Sequence, residues 1–226
     1  MNLPNRLSLL RICLVPLFVA AYLLPYYWGA YVAVGLFLAA AATDFLDGYI
    51  ARKRNLVTDL GKLLDPIADK VLVCAALFCL VARNPLLYLN YVDIATGVQG
   101  WQVVDDHALA VNFGAILLIV GAIVIISREL LISAVRQIAA SKGVVVQANV
   151  FGKVKTVFQD ISLPMLVLLH APAIQAVKDI AFGTFTPSLF WVIWWWASVL
   201  MFAVAVVLTI VSGVIYLVQN KKVFTN

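Results

Sequence analysis

Residues 44–69 of this chain read DFLDGYIARKRNLVTDLGKLLDPIAD, with aspartates in a regular spacing at Asp44, Asp47, Asp65 and Asp69. Long apolar runs flank the stretch on both sides, which places these carboxylates at or inside the edge of a membrane. Acidic groups there are costly and are usually retained for a function. Four carboxylates facing one another would repel unless a positive charge neutralised them. Because hard divalent cations take oxygen ligands, the stretch predicts a metal site.

The composition of the chain indicates a polytopic membrane protein. Of its 226 residues, 64% are hydrophobic and 12% are charged, whereas a soluble domain carries about 25% charged residues. The net charge of +5 is expected to lie next to anionic lipid headgroups, so it does not indicate nucleic-acid binding. We predict one all-α integral-membrane domain that covers residues 1–226.

Six apolar segments are long enough to cross a membrane, since a helical span needs about 20 apolar residues. We predict spans at 12–30, 31–51, 67–84, 112–138, 152–171 and 190–217. Residues 2–11 mix leucines with Asn5, Arg6, Ser8 and Arg11, a pattern typical of a short amphipathic helix in the membrane interface.

Lysines and arginines predict the orientation of these spans. Six spans leave four segments on one side of the membrane, and these carry most of the basic residues outside the spans: 1–11, 52–66, 139–151 and 218–226. Short loops rich in lysine and arginine remain in the cytoplasm. Both termini and the aspartates are therefore expected on the cytoplasmic side.

Two helical stripes carry the aspartates. The second span holds one stripe at i, i+3, i+4 and i+7, formed by Asp44, Asp47, Gly48 and Ala51. The third span holds Asp65 and Asp69 at i and i+4. Antiparallel helices joined by a short loop would bring the stripes together as a four-carboxylate cage. A helix cap is the alternative, but it explains only Asp65, which precedes Pro66.

The spacing Asp-x2-Asp-Gly-x2-Ala-Arg-x8-Gly-x3-Asp-x3-Asp resembles the signature of the CDP-alcohol phosphatidyltransferase family. Its specified positions are all filled, by Asp44, Asp47, Gly48, Ala51, Arg52, Gly61, Asp65 and Asp69. The resemblance implies the fold of that family, and a reaction in which an alcohol attacks the β-phosphate of a CDP-linked lipid and CMP leaves.

The resemblance also implies roles for these residues. Two ions of Mg²⁺ or Mn²⁺ would be held by Asp44, Asp47, Asp65 and Asp69, and would act as Lewis acids. Asp69 would also be the base that takes the proton of the attacking hydroxyl. The residues expected to bind CDP-diacylglycerol are Asn5, Ser8, Asp44, Gly48, Ala51, Arg52, Thr58 and Gly61. The small residues among them would leave room for the ligand, although close helix packing also uses such residues.

A second group of charges predicts an anion site. Arg128 and Arg136 are eight residues apart, on nearly one helix face, and Lys153 and Lys155 open the fifth span. A phosphate on the incoming alcohol would explain these cations, with Glu129 paired to one of them. Snorkelling toward lipid headgroups is the alternative for Arg136, Lys153 and Lys155.

Further segments are similar to the bacterial phosphatidylglycerophosphate synthase branch of the family: 2–11, 55–58, 65–70, 128–130 and 152–156. This implies sn-glycerol 3-phosphate as the acceptor and a homodimer in the bacterial inner membrane. Serine, inositol phosphate and phosphatidylglycerol remain alternative acceptors. A cation or phosphate transporter is a hypothesis from another class, but it predicts charges near the bilayer midplane and repeated halves, and the chain shows neither.

Overall fold

The computed structural model describes residues 3–54, 59–83, 113–141, 150–171 and 189–219. In these ranges six long α-helices follow one another: α1 (Leu3–Leu23), α2 (Tyr27–Arg54), α3 (Asp59–Ala82), α4 (Phe113–Ser141), α5 (Val150–Leu168) and α6 (Leu189–Gln219). The predicted all-α class is confirmed for this part of the chain.

Three of these helices are long and apolar enough to cross a membrane, over Arg6–Leu23 in α1, Gly114–Ala139 in α4 and Leu189–Gln219 in α6. Two shorter apolar helices lie within α2 and α3, at Tyr27–Thr43 and Lys70–Ala82. The apolar part of α2 ends at Thr43, just before the aspartate stretch, and the apolar part of α3 begins at Lys70, just after it. By length and composition, these are the helices of a membrane protein.

The N-terminal helix differs from the prediction. We predicted an interfacial helix over 2–11 and a separate first span over 12–30, but α1 continues without a break from Leu3 to Leu23. The chain then bends at residues 24–26. Pro25 explains the bend, because proline lacks a backbone N–H and restricts the residue before it.

Gly29 allows α2 to start directly against the end of α1. Its N–H donates to the carbonyl of Tyr26 at 2.9 Å, and a Cβ at this position would lie 2.5 Å from the carbonyl oxygen of Ala21. A larger residue would therefore push the two helices apart at the turn.

One core joins all six helices. Each helix contributes a large apolar side chain that is 2% exposed or less to the same cluster: Phe18, Phe37, Leu77, Leu118, Leu163 and Phe202. Around this core α1 packs against α2 and α3, α4 packs against α3 and α6, and α5 packs against α6 and α2. This arrangement places the polar residues of α1, α3, α4 and α5 around a common space.

Gly121 determines how closely α4 and α6 approach. A Cβ at Gly121 would lie 2.6 Å from the ring of Phe202 and 2.9 Å from a methyl group of Val206. Small residues at helix contacts are common in membranes, where van der Waals packing rather than water exclusion holds helices together.

Candidate active site

A cavity of about 240 Å³ lies between α1, α2, α3, α4 and α5. Its lining is apolar on the side of α2 and contains seven polar side chains elsewhere: Arg11, Lys70, Glu129, Lys155, Thr156, Gln159 and Asp160. Arg11 and Lys155 are each only 1% exposed. Burying a charge is unfavourable unless it is paired, so these two buried cations need polar or charged partners within the bundle.

Glu129 joins Lys155, which lines the cavity, to Arg128, which lies behind it, and the sequence predicts both cations for the acceptor. One carboxylate oxygen, Oε1, accepts a hydrogen bond from the Nζ of Lys155 and another from the Nη1 of Arg128 at 3.1 Å. The predicted pairing of Glu129 with a cation is confirmed, and it involves two cations from two helices.

Arg128 lies in a narrow slot between α5 and α6. Its Nη2 donates to the Oγ of Ser212 at 3.4 Å. A Cβ at Gly152 would lie 3.3 Å from Nη2, and a Cβ at Gly213 would lie 3.3 Å from the Cγ of Arg128. The Nε of Arg128 is buried and has no hydrogen-bond partner among the described residues. Within the described part of the chain, the N–H at Nε therefore has no acceptor.

The structure separates the four predicted acceptor cations into two buried or partly buried ones and two exposed ones. Lys155 lines the cavity, and Arg128 is linked to it through Glu129. Arg136 and Lys153 are exposed and do not belong to the cavity lining. The structure therefore brings Arg128 and Lys155 together and leaves the other two outside this cluster.

The backbones of the motif aspartates belong to α2 and α3, whereas their side chains lie outside the described residues. Asp47 lies seven residues before the end of α2 and Asp65 six residues after the start of α3, while Asp44 and Asp69 are each ten residues from those ends. A short connection usually joins antiparallel neighbours. In such a pair, residues equally far from the connection lie at the same level along the two helix axes. This suits residues that bind the same metal ion.

The cavity adjoins two of these motif positions. Ala40 lines it one turn before Asp44, Val73 lines it one turn after Asp69, and Lys70 lines it directly after Asp69. Residues four apart share one face of a helix. The backbone positions of Asp44 and Asp69 therefore lie on the helix faces that form this wall of the cavity.

A divalent metal fits the chemistry of this donor set, because four carboxylates supply the hard oxygen ligands that such ions take. Among the side chains that the structure describes, no group of three or more His, Cys, Asp and Glu residues could hold a metal ion. The predicted ligands themselves are outside that set.

The predicted nucleotide-lipid residues are described only in part. Ser8 is fully buried and lies three residues before Arg11, which lines the cavity. Thr58 lies outside the described residues, and so do the side chains of Asn5, Gly48, Ala51, Arg52 and Gly61.

Most of the chain matches a known protein family. Residues 1–211 match the family model described as CDP-alcohol phosphatidyltransferase. The chain belongs to the CDP-alcohol phosphatidyltransferase family.

Curated relatives share much of the length of this family member. It is 40% identical over 183 residues to the CDP-diacylglycerol–glycerol-3-phosphate 3-phosphatidyltransferase of Bacillus subtilis, which covers 76% of this chain and 79% of the relative. It is 34% identical over 168 residues to the Escherichia coli protein of the same name, covering 74% and 76%. A rice protein named cardiolipin synthase (CMP-forming) is 38% identical over 180 residues, which is 78% of this chain and 48% of the relative.

Sequence reasoning missed several polar residues of the cavity in this family member. The sequence analysis places Arg11 in an interfacial helix and assigns no site role to Lys70. Gln159 was not considered, yet it is 3% exposed, and its Oε1 has no hydrogen-bond partner in the described part of the chain. A signal was present, because Gln159 lies four residues after Lys155 and shares its helix face.

Proposed function

We propose that this protein transfers the phosphatidyl group of CDP-diacylglycerol to sn-glycerol 3-phosphate, giving phosphatidylglycerol phosphate and CMP in phospholipid biosynthesis. The observation that carries the proposal is the cluster of Lys155 and Arg128 at the cavity, in a chain similar to two bacterial proteins named for this reaction. An acceptor that bears a phosphate needs fixed positive charge, which an uncharged alcohol would not.

We assign the acceptor phosphate to Lys155 and Arg128 together with Arg136 and Lys153. Lys155 is buried at the cavity and Arg128 lies partly buried behind it, and among the described residues the Nε of Arg128 has no hydrogen-bond partner. Arg136 and Lys153 are exposed, so these two cations attract the anion toward the cavity from outside. A charge in water is strongly screened, and each exposed cation therefore contributes less to binding.

The reaction joins a hydroxyl oxygen of the acceptor to the β-phosphorus of CDP-diacylglycerol and breaks the bond from that phosphorus to the oxygen of CMP. Asp69 takes the proton of the attacking hydroxyl. Asp44, Asp47, Asp65 and Asp69 would hold Mg²⁺ or Mn²⁺, two ions in all, which would neutralise charge on the diphosphate. The similar sequence distances of these positions from the end of α2 and from the start of α3 support this assignment.

The nucleotide-lipid site uses residues from α1, α2 and the start of α3. Its members are Asn5, Ser8, Asp44, Gly48, Ala51, Arg52, Thr58 and Gly61. The burial of Ser8 beside the cavity residue Arg11 supports the part contributed by α1. Arg52 would bind a phosphate oxygen, since a guanidinium presents a planar fork of donors.

In the membrane, the single domain 1–226 would have six spans, with both termini and the aspartates in the cytoplasm, and would form a homodimer in the bacterial inner membrane. By length alone the helices are compatible with six spans, and α1, α4 and α6 are also apolar enough to cross a membrane. α2, α3 and α5 contain 28, 24 and 19 residues. At 1.5 Å per residue, each reaches about 28 Å or more, close to the ~30 Å thickness of the hydrocarbon core.

The test is an acceptor series with the purified protein in detergent micelles and CDP-diacylglycerol labelled in its acyl chains. Glycerol 3-phosphate, serine, inositol phosphate and phosphatidylglycerol are offered one at a time, and labelled lipid products and CMP are measured. We expect product from glycerol 3-phosphate. Phosphatidylglycerol is the specific rival because of the rice relative named cardiolipin synthase. Product from that acceptor alone would overturn the proposal.

A further inference from the structure

Glu129 places a negative charge between the two cations assigned to an anionic acceptor. Its Oε1 contacts both Lys155 and Arg128, and the side chains of these three residues are 26%, 1% and 15% exposed, respectively. A carboxylate at an anion site opposes binding by simple Coulomb repulsion. Glu129 must therefore have a favourable effect on the site that outweighs this repulsion.

One favourable effect of Glu129 is that it restricts the movement of the two cations. A lysine ammonium sits on a flexible four-carbon stem and loses side-chain entropy when it is fixed. Arg128 is held on other sides as well, by Ser212 and by the glycines of α5 and α6. For Lys155, the hydrogen bond to Glu129 is what ties its end to α4.

The carboxylate also reduces the repulsion between the two cations. Lys155 and Arg128 are both within contact of the same oxygen atom, so their charges lie close together in a partly buried space. Without a counter-ion, like charges at this separation would drive the flexible lysine away.

We propose that Glu129 is a positioning residue for the acceptor. It holds Lys155 beside Arg128 at the wall of the cavity before the acceptor arrives, so that a phosphate dianion meets a preformed pair of cations. The inference rests on the proposed function, since it assumes an acceptor with a phosphate. Fixing groups in advance increases affinity by reducing what must be ordered on binding.

The test is Glu129→Gln, which keeps the shape of the side chain and removes its charge. Positioning predicts that the KM for glycerol 3-phosphate rises by about 5- to 10-fold, because a charge-assisted hydrogen bond becomes a neutral one of about half the strength. The KM for CDP-diacylglycerol should change by less than about twofold, a difference within the scatter of single contacts. Coulomb repulsion alone predicts a lower KM for glycerol 3-phosphate, since Glu129→Gln removes a negative charge from the site of an anion.

A double-mutant cycle with Lys155→Met separates positioning from a general role in folding. If Glu129 acts through Lys155, then Glu129→Gln must raise the KM for glycerol 3-phosphate clearly less in the Lys155→Met background than in the wild type. Equal factors in both backgrounds would overturn the inference. So would a lowered or unchanged KM in Glu129→Gln, or an equal rise for both substrates.

A replacement variant and the wild-type assay cover the cases in which Glu129→Gln alone gives no answer. If Glu129→Gln does not accumulate as folded protein, Glu129→Asp replaces it: the charge is kept but withdrawn by one methylene, and an unchanged KM for glycerol 3-phosphate would overturn the inference. If the wild type makes no product from glycerol 3-phosphate, the proposed function fails instead, so the two failures are distinguishable.

Discussion

Replacing Lys155 by methionine removes one buried positive charge from the cavity while keeping an unbranched side chain of similar length. Lys155 is 1% exposed and lines the cavity with its charged end on Glu129. Glu129 keeps its contact with Arg128 at 3.1 Å, so the substitution does not leave that carboxylate without a partner. The expected damage is therefore to acceptor binding rather than to folding.

The chain offers a matched control for this change at Lys153. It is also a lysine of α5, two residues earlier, but its side chain is exposed. A buried charge-assisted contact contributes about 1.5–3 kcal/mol, and an exposed ion pair contributes about 0.2–1 kcal/mol. At 1.4 kcal/mol per tenfold, the KM for glycerol 3-phosphate should rise by about 10- to 100-fold in Lys155→Met and by less than about 5-fold in Lys153→Met.

The assay measures initial rates in mixed micelles, with each substrate varied in turn at two salt concentrations. The effect of Lys153→Met should shrink at high salt, because exposed charges are screened, whereas that of Lys155→Met should persist. The KM for CDP-diacylglycerol should change little in either variant. Equal effects of the two substitutions on the KM for glycerol 3-phosphate, or a larger effect at Lys153, would refute the assignment of the acceptor to the cavity.

Three other predictions follow from the motif and the packing. A chelator should abolish turnover and added Mg²⁺ or Mn²⁺ should restore it; full activity of metal-stripped protein with the chelator present would contradict the metal site. Asp69→Asn should lower kcat by about 100- to 10,000-fold with CDP-diacylglycerol binding partly retained, and a near-normal rate would place the base elsewhere. Gly121→Ala should lower stability by about 1–3 kcal/mol through overpacking against Phe202, seen as earlier thermal unfolding in detergent. Gly35→Ala is its control, since a Cβ there meets nothing within 4 Å, and an equal loss in both variants would count against the packing argument.

The long apolar helices are the part of the fold that the sequence predicts best. The span predicted at 112–138 corresponds to Phe113–Ser141 and the span at 190–217 to Leu189–Gln219. An uninterrupted apolar run has few alternatives to a helix in a membrane, because every backbone polar group must be paired internally. In contrast, α3 begins at Asp59, eight residues before its predicted start, since a helix can continue past its apolar part.

The N-terminus shows where hydropathy fails. Arg11 was predicted in the interface because a charged residue usually stays near water, but it is buried at the cavity. Its burial depends on what α2, α3, α4 and α5 place around it, and no local pattern contains that information. Pro25, however, indicates in the sequence a break between α1 and α2. The predicted end of the first span at residue 30 does not take this proline into account.

The sequence also indicates that Lys153 and Lys155 lie on different faces of α5. Helical residues two apart do not face each other, so one of these lysines had to point away from any cavity that held the other. The face of α5 that meets the cavity carries Lys155, Thr156 and Gln159. Which of the two faces is buried could not be predicted from the local sequence, because it depends on the packing of α5 against α2 and α6.

In the proposed reaction both substrates are anions that must approach each other closely, which is unfavourable unless each is compensated separately. The cavity has the arrangement that this requires. One wall is formed by the faces of α2 and α3 that carry the positions of Asp44 and Asp69, and a metal bound there would neutralise the diphosphate. The wall formed by α4 and α5 carries Lys155 and Glu129, with Arg128 behind them. Because Lys155 and Arg128, unlike Lys70 beside Asp69, lie on different helices from the aspartates, they would compensate the acceptor phosphate without competing with the metal for its carboxylate ligands.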